Sequence, residues 1–197
     1  WAARRRWALG LAGCFLRGPK LPVELFGLKF PNPVGLAAGM DKGGTAVPVW
    51  AALGLGFSEL GGVTQRGQPG NPQPRMFRVV EDEALINRMG FNNGGAEAAH
   101  ARLRKRAGRP GVVGINIGAN KDSADRARDY VEVLKRCGPV VDFVTVNVSS
   151  PNTEKLRDLQ GAEAEQLISE IADTVCKNDP RSRPQLRVDG LLALLHG

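Results

Sequence analysis

A chain of 197 residues with 42% hydrophobic side chains is long enough for one globular domain with its own core. Its 25 glycines and 13 prolines follow no repeat or low-complexity period, and no apolar run approaches the roughly 20 residues of a bilayer span. Three scattered cysteines and two histidines argue against a zinc site, a disulfide framework and a histidine-based nucleophile relay, and suit a reducing compartment.

The net charge of +7 is gathered at the amino terminus, where Arg4, Arg5, Arg6, Arg17 and Lys20 stand without an acid. A nucleic-acid-coating domain spreads its charge over a face of the fold, so no nucleic-acid partner is expected. Trp1, Trp7, Leu9, Leu11, Phe15 and Leu16 alternate with that charge. The mixture suits an interfacial helix at a membrane surface, and it equally suits a solvated terminus. The absence of an initiator methionine leads us to expect a start inside a longer gene product.

From Val23 to Phe30, strand formers around Gly27 predict a small hairpin. "NPVGLAAG" reads as a first core strand ending in small residues, and Thr45 can cap a helix through about Leu53, with Pro48 in its first turn. "GFSELGGVT" is a second strand with a glycine-rich end. The Pro/Gly-rich connection "QRGQPGNPQPR" follows, then "MFRVVEDEALINRMGFNNGG". Ala96 to Arg106 reads as the next helix, and "GVVGINIGANK" as a third strand. Ala127, Tyr130, Val131 and Leu134 then fall on one helical face behind the cap candidates Asp122 and Ser123. "VVDFVTVNVS" is a fourth strand, and Leu167, Ile168, Ile171 and Val175 line one side of a helix from about Ala162 to Val175.

Four β-α units in succession predict parallel strands covered by helices, with the chemistry in the loops at the strands' carboxyl ends. Each of those ends is polar or glycine-rich. "AAGMDKGG" offers close backbone approach followed by a cation, or a plain strand-to-helix turn; it is neither a P-loop nor a GxGxxG motif. "INRMGFNNGG" is a ligand loop or an ordinary turn. Asn116 and Asn147 are more telling, because an amide at an apolar strand end must find partners once buried. Ser150 has no histidine nearby, which disfavours a hydrolytic triad. It could accept a proton that moves on through water, or simply form a turn before Pro151.

"FPNPVGLAAGMDK", "QPGNPQPRMFR", "INRMGFNN", "GINIGANKDS" and "VTVNVSSPNT" occur in order, and together they resemble the dihydroorotate dehydrogenase family, in particular its quinone-linked, membrane-associated class. The resemblance runs from about Val23 to Gln160 and more weakly to Cys176. It implies a TIM-type (β/α)8 barrel that binds FMN and oxidises dihydroorotate to orotate in pyrimidine synthesis, with a ubiquinone-type acceptor. It also implies a peripheral membrane position, on the cytoplasmic side of a bacterial inner membrane or at a mitochondrial inner membrane. By the same matching Ser150 is the catalytic base. Ala38, Gly39, Lys42, Gly62, Asn116 and Asn147 would hold the flavin, and Lys42, Asn87, Arg88, Met89, Gly90, Phe91, Asn147 and Asn152 the substrate. No metal is implied.

Gly62 stands where the family usually carries Ser or Thr, and the segment after Cys176 lacks the family's fifth-strand lysine. The expected organisation is therefore a basic remnant of the membrane-associated extension over 1–20, the first half of a barrel over 21–177 and a divergent tail over 178–197. The competing reading is a non-catalytic half-barrel that dimerises or binds a full-length partner.

Overall fold

The computed structural model describes residues 21–106 and 111–148, together with Trp7, Gly10, Gly13 and Cys14. The expected helix over 162–175, Ser150, Asn152, the tail and most of the arm lie outside the described residues. The chain opens with an antiparallel hairpin of β1 (Val23–Leu25) and β2 (Leu28–Phe30), turning through Phe26 and Gly27 in the left-handed region. Four parallel strands follow: β3 (Gly35–Leu36), β4 (Phe57–Val63), β9 (Val112–Ile117) and β10 (Phe143–Val146).

Along the sheet these strands lie in chain order, β3-β4-β9-β10. A doubly wound sheet would reverse order at a switch point; this sheet advances in one direction only. Among the described residues three helices cover one face: α1 (Val47–Ala52), α2 (Gly95–Arg104) and α3 (Arg126–Cys137). Leu60, Val63, Val113, Ile115, Ile117 and Val146 pack with Ala99, Leu103, Tyr130, Val133 and Leu134 of the helices into one core. Burial on this scale, at about 25 cal/mol per Å² of apolar surface, is what holds so short a sheet together.

The helix starts differ from the sequence reading. Asp41, and not Thr45, organises the start of α1: its carboxylate accepts from the Thr45 and Ala46 amides at 2.9 and 2.8 Å, from Thr45 Oγ1 at 3.1 Å and from Trp50 Nε1 at 3.2 Å. For α3 the cap is Asp125, which accepts from the Arg128 amide at 2.9 Å, and not Asp122 or Ser123. The segment after the polar connection forms a second hairpin, β6 (Met76–Val79) with β7 (Ala84–Asn87). Two short strands, β5 (Arg66–Gln68) and β8 (Asn93–Gly94), tie this excursion back to the sheet.

The other sheet face is built differently. At its amino-terminal end Phe57 packs edge-on between Phe30 and Phe143, at 5.6 and 5.9 Å between ring centroids. Gly35 and Gly114 make room for these rings, since a Cβ at either would collide with Phe57 or Phe143. Toward the carboxyl ends the same face carries Glu59, level with Gly114 and Phe143, and then Asn116 and Thr145.

Candidate active site

Above the aromatic layer lies a cleft of about 510 Å³, within the size range of small-molecule sites. It is lined by the ends of β3, β4, β9 and β10 and by the loop after β7. Of the residues expected to hold a ligand, Ala38, Gly39, Lys42, Gly62, Asn87, Met89, Gly90, Phe91, Asn116 and Asn147 all line it. Their sequence separations reach beyond a hundred residues, and parallel strand pairing together with the β6–β7 hairpin brings them together. Among the described residues no cluster of His, Cys, Asp and Glu could hold a metal ion.

Arg88 goes elsewhere. Its guanidinium donates to the Pro74 carbonyl from Nε at 3.2 Å and from Nη2 at 2.9 Å, and lies 5.9 Å from the centroid of the Phe77 ring. Arg88 is absent from the cleft lining, and among the described residues Lys42 and Glu59 are the ionisable ones there.

Lys42 is half-buried and donates to Asn92 Oδ1 at 2.6 Å. Burial lowers its pKa below the ordinary value of 10.5, and the nearby charge of Arg75 lowers it further. An ammonium short of solvent and beside a second cation is a site for an anion, because a negative ligand relieves both penalties.

The amides form a ladder across three adjacent strands. Thr145 pairs with Asn116, and Asn116 with Gly61, in the parallel registers. Asn147 Nδ2 donates to Asn116 Oδ1 at 3.1 Å, and Asn116 Nδ2 donates to Glu59 Oε1 at 3.1 Å. Main-chain groups fix the outer member: the Asn147 amide donates to the Ile117 carbonyl at 2.9 Å, and Tyr130 Oη donates to the Asn147 carbonyl at 2.8 Å.

The loop after β7 is held at each successive carbonyl. Asn71 Nδ2 donates to the Arg88 carbonyl at 3.0 Å, the Asn71 amide to the Met89 carbonyl at 3.0 Å, and Gln68 Nε2 to the Gly90 carbonyl at 3.1 Å. Asn93 Nδ2 donates to the Phe91 carbonyl at 2.7 Å and to Thr64 Oγ1 at 2.9 Å, while its Oδ1 accepts from the Gly95 amide at 2.8 Å and the Thr64 amide at 3.2 Å. These bonds hold Gly90 and Phe91 in successive left-handed conformations, φ 71° and 52°. Such a pair is unfavourable for a non-glycine residue unless its surroundings dictate it. Phe91 is thereby laid against Gly62 and Gly118, where an added Cβ would sit 2.6 and 3.0 Å from its ring. Glycine at position 62 is thus matched to this ring.

Sequence reasoning passed over Glu59, Met76 and Thr145 in the lining, and Gln68 and Asn93 as fasteners. The signal for Glu59 was present: an acid between Ser58 and Leu60 breaks an otherwise apolar strand.

A parallel sheet wound in one direction, with a polar cleft at its strands' carboxyl ends, defines an α/β protein of the small-molecule-binding kind. The profile of the Dihydroorotate dehydrogenase family matches residues 20–185, and the chain belongs to that family. Proteins named dihydroorotate dehydrogenase (quinone) are similar to it. One from Bradyrhizobium sp. strain BTAi1 is 54% identical over 155 residues, covering 78% of this chain and 43% of the relative. One from Cereibacter sphaeroides is 59% identical over 146 residues, covering 74% and 41%. The crystal structure of DHODH in complex with ferulenol from Eimeria tenella superposes with a TM-score of 0.76 at 37% identity, covering 91% of this chain and 53% of that one. The chain thus spans less than half the length of these curated relatives.

Proposed function

We propose that this chain carries the ring-binding half of a site that oxidises dihydroorotate to orotate, with FMN as its cofactor and a quinone as the final acceptor. The observation that carries the reading is the convergence of Lys42, Asn87, Asn116 and Asn147 on one cleft. The described strands would be the first half of a (β/α)8 barrel, and their advance in chain order supports this. The organisation into an arm over 1–20, a half-barrel over 21–177 and a tail over 178–197 belongs to the same proposal.

The residues present fit a flat cofactor ring. A Cβ built on Gly39 would meet nothing within 4 Å, so the Ala37–Gly39 turn leaves open space over its backbone. Ala38, Gly39, Lys42, Gly62, Asn116 and Asn147 would hold the isoalloxazine side of FMN. When bound, FMN supplies the two-electron acceptor for the hydride leaving C6 of the substrate and hands the electrons on to quinone.

Orotate and dihydroorotate are anions, and Lys42 is the cation lining the cleft that would face the substrate carboxylate. Asn87, Asn147 and Asn152, with the loop from Arg88 to Phe91, would meet the imide edge and the carboxylate. Arg88 would act through the loop backbone, because its guanidinium is committed to Pro74. Ser150 would take the C5 proton and pass it on through water. Fixed amide donors around the ring would stabilise charge as it develops. The basic, tryptophan-containing arm supports a peripheral contact with the membrane that holds the quinone, at the cytoplasmic face of a bacterial inner membrane or at a mitochondrial inner membrane. Among the described residues no helix is long and apolar enough to cross a membrane.

The test is Ser150→Ala. Anaerobic reduction of bound FMN by dihydroorotate should slow by about 10²-fold or more, with FMN content unchanged. A wild-type rate in that variant removes Ser150 from the role of base.

A further inference from the structure

We propose that Glu59 is a positioning residue that sets the direction in which Asn116 and Asn147 present their carboxamides to a ligand. An asparagine amide can turn over, exchanging oxygen and nitrogen with little change of shape, so something must choose between the two orientations. Glu59 makes that choice. An ionised carboxylate accepts hydrogen bonds and cannot donate them. Asn116 must therefore turn its Nδ2 toward Glu59, as it does at 3.1 Å. That commits Asn116 Oδ1 to the other side, where it accepts from Asn147 Nδ2 at 3.1 Å. One acid on β4 thus sets the polarity of Asn116 on β9 and, through it, the acceptor that Asn147 meets just after β10.

The rest of the ladder is already immobile. Asn116 is 8% exposed, and the main chain of Asn147 is tied to Ile117 and Tyr130. The orientation of the amide groups is the remaining choice. In the observed sense Asn116 uses one amide hydrogen on Glu59 and keeps its second for a ligand carbonyl in the cleft. In the reversed sense the same position would offer an acceptor, which repels a ring carbonyl. Glu59 and Lys42 both line the cleft, an acid on β4 and an amine on the loop after β3.

The ligand part of this proposal rests on the cleft being a pyrimidine or flavin site; the ladder part does not. The test uses the full 197-residue chain and the side-chain amide NMR signals of Asn116 and Asn147. In the wild type one hydrogen of each amide should exchange with water about tenfold more slowly than in exposed asparagines. Glu59→Gln keeps the shape but makes the end of the ladder a donor as well as an acceptor. Both orientations of Asn116 then find a partner and interconvert, which should lower that protection at both amides, while Lys42→Met leaves both protected. Unchanged protection of Asn147 in Glu59→Gln, or equal loss in Lys42→Met, overturns the proposal. Glu59→Leu should go further and expose Asn116 outright; if that variant does not fold, the isosteric Gln variant decides.

FMN binding, followed by flavin fluorescence, is the second reading. Glu59→Gln should weaken it about tenfold, and adding Asn116→Leu to that variant should weaken it little more, because both changes disable one ladder. Full additivity contradicts the proposal. A wild-type chain that binds no FMN overturns the functional reading alone, and amide protection then decides the role of Glu59.

Discussion

Leu60, Ile115, Ile117 and Val146 point from the sheet into the helices and are 6% exposed or less, whereas Glu59, Asn116 and Thr145 on the same strands sit on the cleft side. Parallel sheets covered on both faces usually read as continuous apolar runs. Here the helix face follows that rule, and the other departs from it on β4, β9 and β10. The helix face holds the fold, and the cleft face gives up apolar burial for hydrogen-bonding groups aimed at a ligand. The two faces should therefore respond differently to the same kind of change.

The largest effect should come from Ile115→Ala, which empties a fully buried position. It should destabilise by about 2–5 kcal/mol in denaturant unfolding. Asn116→Leu, one residue away on the other face, should stay within about 1 kcal/mol of wild type and yet weaken FMN binding about tenfold. Equal stability losses in the two variants would break the contrast between the faces.

Asn93→Ala comes next. It removes the four hydrogen bonds that this side chain makes to Thr64, Phe91 and Gly95. We expect a loss of about 2–3 kcal/mol, with faster proteolysis of the loop after β7. Wild-type stability would mean that the loop is held by its backbone alone.

The smallest effect concerns Lys42 and has two opposite signs. Its pKa in the folded chain is lowered below 10.5, chiefly by burial. Between that lowered value and 10.5 the unfolded chain binds more protons, so stability rises with pH through this window. On the proposed reading, in which the Lys42 ammonium faces the substrate carboxylate, orotate binding should fall over the same window. Lys42→Met should remove the stability gain and leave weak orotate affinity that does not vary with pH. Titrations from about pH 7 to about pH 10 at constant ionic strength check both arms.

Much of the site was legible because its residues contradict their local setting. Asn116 is a buried amide inside a strand of valine and isoleucine and Asn147 a half-buried one at the end of another, and both required the partners that the ladder supplies. β9 and β10 were legible from their β-branched runs, and β3 and β4 from short apolar runs ending in small residues. The hairpin of β6 and β7 was not legible. Met76, Phe77, Leu85 and Ile86 are exposed and the turn carries Glu81, Asp82 and Glu83, so no buried alternation marks its strands. Arg88 was misleading for a different reason. Composition gives its charge, but its direction follows from the Pro74 carbonyl, which only the folded hairpin brings within reach. Glu59 shows the converse, since its role depends on cross-strand neighbours that no local pattern names.

The most direct test is the visible spectrum of the purified chain with FMN under anaerobic conditions, before and after adding dihydroorotate. The account predicts that dihydroorotate bleaches the flavin band in the presence of the wild-type chain and fails to do so with Asn147→Leu. A flavin band that persists with the wild-type chain, or that bleaches equally with the variant, would contradict the assignment of this cleft as a dihydroorotate-oxidising site.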